Sequence, residues 1–317
     1  MPNAFAYLML AIWPVVTWQL FRRLSPGQAL IWTILAGYLV LPPVVRYDLP
    51  AIPDLDKYSI PSLMAAVCVV LVVHKRLELL PQNWLGRLLM AAYVLGPFGT
   101  VLTNTDPIQF EQAQIGGMKV YDSFSAVANQ LIWLSPMFLG RQFLGRPEGM
   151  QMLARALVLG GLAYAAPMLL EVQVSPQLNI WIYGFFQHDF FQTIRYGGYR
   201  PVVFLPHGLW VAFFTLMCLM SAVILMRAAR PEARPKALAI VAFLGVMLVV
   251  CKSAGVLAYA LFFVPLLLLV SARTQILVAA VVAGLVVAYP LLRGLHLVPL
   301  DQIVDFASSI SPERNQS

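Results

Sequence analysis

Apolar runs of near-uniform length recur along this chain of 317 residues, separated by short segments rich in Arg, Pro and Gly. Each run approaches the about 17–25 residues that a helix needs to cross the hydrocarbon core of a bilayer. Backbone polar groups inside a bilayer must be satisfied internally, so only helices and closed barrels span it. The runs do not break into short alternating strands, which leaves the helix. We place spans at 3–20, 28–43, 59–74, 84–103, 123–143, 152–171, 207–228, 236–251, 254–271 and 274–292. The expected fold is an all-α, polytopic transmembrane domain of about ten spans over residues 1–292. Hydrophobic residues make up 60% of the chain and charged residues 11%, a balance that excludes an ordinary soluble domain. No basic stretch precedes the first apolar run, so it reads as a retained span rather than a cleaved signal.

The net charge of +7 would suggest nucleic acid in a soluble chain. Here most basic residues lie in short loops between spans, where they set topology, and no nucleic-acid partner is expected. With the N-terminus outside, thirteen of the 21 Lys and Arg residues fall on the inner face and eight on the outer. External loops then lie near 44–58, 104–122 and 172–206, and they carry Asp48, Asp54, Asp56, Asp106, Glu111, Asp122, Glu171 and Asp189. Residues 293–317 are expected to begin a further external region of a longer chain. Cys68, Cys218 and Cys251 sit in apolar runs without metal-ligand spacing, and read as packing residues. The chain has no glycine-rich nucleotide loop, HExxH or CxxC, so neither a metal nor another cofactor is expected.

The loop from Trp181 to Trp210 concentrates the chemistry. Arg195 and Arg200 flank Gly197 and Gly198 there, and a guanidinium presents a rigid fork of donors suited to phosphate oxygens. Tyr196 and Tyr199 can pack a sugar or anchor the loop at the interface. The plainer reading is an aromatic belt whose arginines reach lipid head groups. His207, between Pro206 and Gly208, can contact phosphate or move a proton, or can simply cap the next helix. His188 and Asp189 are weaker candidates in the same loop. Asp56 and Lys57 form a charged group with Asp54 before a helix start, suited either to acceptor binding and proton transfer or to capping. Lys252 beside a long apolar run is costly unless it faces a polar cavity or snorkels. Arg46 beside Asp48 reads as an external ion pair or a substrate contact.

Four segments in order, LPAIPDLDKYSIPSL (49–63), RYGGYRPVVFLPHGLWVAFF (195–214), CKSAGVLAYAL (251–261) and ISPERNQS (310–317), resemble the bacterial O-antigen ligase and polymerase superfamily. The closest likeness is to its exopolysaccharide polymerase-like members. The resemblance implies a GT-C type glycosyltransferase of the inner membrane, active on the periplasmic face without a metal. Its donor would be an undecaprenyl-pyrophosphate-linked glycan, and its acceptor a glycan or lipid-linked glycan. Membrane lipids and a chain-length regulator or export machinery would be further partners. The matching positions are Arg195, Arg200 and His207, expected to be catalytic, and Arg314, expected to contact substrate. The residues themselves add Asp56 as a catalytic candidate and Lys57, Tyr196, Tyr199, Lys252 and Arg46 as substrate contacts. Polymerisation of repeat units is the expected reaction; ligation to lipid A-core is one alternative, and lipid-glycan transport or flipping is another.

Overall fold

The computed structural model describes residues 1–49, 53–110, 113–295 and 297. Among these residues the protein is built from helices: α1 Ala4–Arg23, α2 Pro26–Val40, α3 Ser59–Leu71, α4 Trp84–Thr103, α5 Val120–Leu144, α6 Pro147–Val174, α7 Leu178–Tyr183, α8 Gly208–Arg227, α9 Arg234–Val250, α10 Ala254–Leu269 and α11 Ala272–Gly294. Three antiparallel two-stranded hairpins interrupt them: β1 Arg46–Tyr47 with β2 Leu55–Asp56, β3 Ile108–Phe110 with β4 Ala113–Ile115, and β5 Ile194–Arg195 with β6 Gly198–Tyr199. The chain divides into two compact units, Met1–Leu261 and Phe262–Ser317.

Each of the ten expected spans overlaps one of these helices, but only six are long and apolar enough to cross a membrane unaided. These are α1, α4, α6, α8, α11 and the segment Pro231–Val250 that contains α9. The expected count of ten is reduced because α2, α3 and α10 have only 15, 13 and 16 residues. At 1.5 Å per residue, α3 reaches about 20 Å against a hydrocarbon core of about 30 Å. The longer α5 is diluted by polar residues such as Asn129, Gln130, Ser135 and Gln142. The protein is therefore an all-helical, multi-span membrane protein.

Helix starts follow local chemistry. Asn3 caps α1 by accepting from Ala6 N, and Ser25 caps α2 just before Pro26. In the first unit, α1, α2, α3 and α7 share a cluster of Leu10, Trp13, Leu41, Val45, Ile60 and Tyr183. Tyr183 Oη donates to the Val40 carbonyl at 2.6 Å, tying α7 to the end of α2. α6 meets α8 through Gly160 and Gly161, where small residues let helix backbones approach. All three cysteines are free and buried. In the second unit, α11 is capped by Ser271, and Gln275 donates to the carbonyls of Leu266 and Val270.

A Cβ at Gly161 would lie 2.8 Å from the Cβ and Sγ of Cys218, whereas one at Gly245 meets nothing within 4 Å. Gly161→Leu is therefore expected to destabilise the α6–α8 contact by about 1–3 kcal/mol and lower the thermal unfolding midpoint in detergent. Gly245→Ala is expected to leave the midpoint unchanged or raise it, since alanine favours a helix interior.

Candidate functional site

Irregular backbone buried inside a protein persists only when protein groups satisfy its N–H and C=O groups. The segment from Val202 to Leu205 is such a stretch: Val202, Val203 and Leu205 are fully buried, and Val203 has a φ of 54°. Side chains from several elements hold it. Glu171, 1% exposed near the end of α6, accepts from Val202 N at 2.8 Å and Val203 N at 2.7 Å through Oε2. Its Oε1 accepts from Leu178 N at 3.1 Å, at the start of α7. Tyr164 Oη accepts from Phe204 N, and Gln187 donates to the carbonyls of Val203 and Leu205. Lys57 Nζ donates to the Phe204 carbonyl at 2.7 Å.

This anchored stretch carries the cations. Tyr196 and Gly197, with φ of 50° and 68°, form the two-residue tip between β5 and β6, a tight hairpin turn. Tyr196 stands at the tip, 78% exposed, while Tyr199 is half-buried with its ring 6.1 Å from Phe190. Arg195 is exposed. Arg200 follows β6 and is only 5% exposed; its Nε and Nη2 have no hydrogen-bond partner. Its guanidinium lies against Gly208, where any Cβ would collide with it. Lys252, in the left-handed turn between α9 and α10, lays its ammonium over Gly198, where a Cβ would likewise collide.

His207 closes the group. Its Nδ1 accepts from Leu209 N at 2.9 Å and caps α8, which leaves the proton on Nε2. The His188 ring meets it edge-on, with centroids 4.4 Å apart. Burial, with the nearby charges of Arg200, His188 and Arg195, pushes His207 down to about 4, so the ring is neutral near pH 7. Burial and Arg195 also lower Arg200. Among the described residues no carboxylate pairs with Arg195, Arg200 or Lys252. Two guanidiniums, an ammonium and a neutral imidazole N–H thus gather without a counter-ion. Such a donor set suits an anion with several oxygens.

The other sequence candidates fall elsewhere. Arg46 pairs across the β1–β2 hairpin with Asp54 at 2.8 Å, not with the neighbouring Asp48. Asp56 Oδ1 accepts from Tyr58 N and Ser59 N and caps α3, which commits that oxygen to structure. Lys57 is 1% exposed and turns to Phe204 rather than to the cationic group. Burial pushes its ammonium down to about 7, against the opposing pull of Asp56. Arg314 and Glu111 lie outside the described residues. Glu171, which the sequence groups with the external acids, instead anchors backbone amides. The available signal was an acid at the end of an otherwise apolar span.

Compared with family models, curated proteins and solved structures, the chain matches none.

Glu171→Gln replaces an acceptor for three amides with a group that has one acceptor oxygen and two donor hydrogens. The expected cost is about 1–3 kcal/mol, read as faster hydrogen exchange at Leu178, Val202 and Val203. For His207, a folded pKa below the unfolded value means stability is fully present above about 6.5 and is lost as pH falls toward 4. His207→Asn keeps a capping acceptor, so unfolding measured between those two pH values should depend less on pH in that variant than in the parent.

Proposed function

We propose that the chain is a metal-independent, GT-C type glycosyltransferase of the bacterial inner membrane, acting on its periplasmic face. The reaction is polymerisation of polysaccharide repeat units carried on a polyprenyl pyrophosphate. The observation that carries this reading is the buried, unpartnered Arg200 guanidinium, grouped with Arg195, His207 and Lys252. The segments quoted from the sequence give the reaction class, and the described geometry supports only the anion-binding part of it.

In this reading an acceptor hydroxyl attacks the anomeric carbon, the bond from that carbon to the pyrophosphate breaks, the pyrophosphate leaves on its lipid as an anion, and the hydroxyl's proton passes to water at the exposed rim of the site. Direct attack inverts the anomeric centre. Charge grows on the leaving group in the transition state, so fixed cations act most strongly at that moment. Arg200 and Arg195 hold the pyrophosphate oxygens, Lys252 adds charge, and the neutral His207 donates from Nε2. Asp56 serves as the cap of α3, and the catalytic part expected of it passes to no other carboxylate here. The shorter helices α2 and α3 complete the spans as partial crossings packed against longer neighbours.

The test is glycan transfer by purified protein with a polyprenyl-pyrophosphate donor. Arg200→Ala is expected to lower turnover about 100-fold, or about 3 kcal/mol, and Arg195→Ala by less because that side chain is exposed. Parental turnover in both variants would end the assignment.

A further inference from the structure

A second feature lies apart from the cationic group. α2, α3, α5, α6 and α8 line a half-open cavity of about 420 Å³ with almost wholly apolar walls. Trp133 and Leu144 both line it, and eleven residues of helical rise put them about 16 Å apart along α5. Gly140 lines it between them, and a Cβ there meets nothing within 4 Å. At one end stand Lys57, Tyr38 and Tyr58. The Lys57 ammonium lies 5.7 Å from the Tyr38 ring centre and 5.9 Å from that of Tyr58. Tyr58 stacks on Trp133 at 5.1 Å, and its buried hydroxyl has no partner.

We infer that this cavity holds one acyl chain of an anionic bilayer phospholipid, with the lipid phosphate at Lys57. The elongated apolar wall suits a hydrocarbon chain, and the volume lies in the lower part of the about 300–1,000 Å³ range of ligand sites, which suits one chain rather than two. Charge complementarity selects the head group. Lys57 uses one of its three N–H donors on Phe204 and pairs with no carboxylate among the described residues, which leaves donors for an anion at the cavity's end. The unpartnered Tyr58 hydroxyl supplies a further donor for a phosphate oxygen. Burial loosens the lysine's proton, and a phosphate beside it would hold the amine charged. The inference does not depend on the proposed reaction.

The experiment uses the full chain in phosphatidylcholine nanodiscs, titrated with phosphatidylglycerol brominated on its acyl chains, which quenches nearby tryptophan fluorescence. The signal of Trp133 is obtained by difference from Trp133→Phe. Quenching is expected to saturate at a mole fraction about tenfold lower for brominated phosphatidylglycerol than for brominated phosphatidylcholine. Gly140→Phe, which fills open space without touching Lys57, and Lys57→Met should each remove that preference. Arg200→Ala should leave it intact. Equal quenching by the two lipids, or a preference that survives Gly140→Phe, overturns the site. Displacement of the brominated lipid by stoichiometric polyprenyl phosphate overturns the choice of occupant. If Lys57→Met does not fold, the two-lipid comparison and Gly140→Phe decide the matter.

Discussion

The Glu171 carboxylate accepts three backbone N–H groups, and through them it fixes how irregular chain passes among apolar helices. A helix end and a left-handed residue leave amides that, once buried in the protein, water cannot reach. One buried carboxylate joins the start of α7 to the Val202–Val203 stretch, and Tyr164, Gln187 and Lys57 complete the accounting. Arg200 and His207 lie on either side of that stretch, so their positions follow from an acid on a different helix.

The same accounting explains why the cations are left without partners. The nearby acids have other employment: Glu171 binds amides, Asp56 caps α3, Asp54 pairs with Arg46, and Asp189 caps the short turn at Phe190–Thr193. Asp122 accepts from Lys119 N at the start of α5. Burial first, and like charge second, lowers the affinity of Arg200 and His207 for protons, which makes holding charge there costly. An arrangement that tolerates such a cost is suited to receive negative charge from outside.

Much of the helical frame was legible, because apolar run length is a strong signal. The ten segments read from the sequence each meet a helix, and the break at Lys252 is real. Run length did not reveal that α2 stops short, since the buried Leu41 and Val45 continue the apolar run past its end. Of the candidate residues, Arg195, Arg200, His207 and Lys252 lie together, and their residue types at a span edge were the clue. Arg46 was matched to its sequence neighbour because the β1–β2 pairing that brings Asp54 opposite it is a long-range fact. Lys57 and Asp56 are adjacent in sequence yet serve different partners, Phe204 and the start of α3. The cavity beneath Lys57 depends on five helices and had no signature in any one of them.

Everything chemical here depends on the free donors of Arg200 meeting a diphosphate. The direct measurement is phosphorus NMR of a short-chain prenyl pyrophosphate titrated with detergent-solubilised parent protein and with Arg200→Gln. The account predicts a saturable shift of both phosphorus signals in the parent and its loss in the variant, with folding of the variant checked by helical circular dichroism. The same saturable shift in a folded Arg200→Gln protein would contradict it.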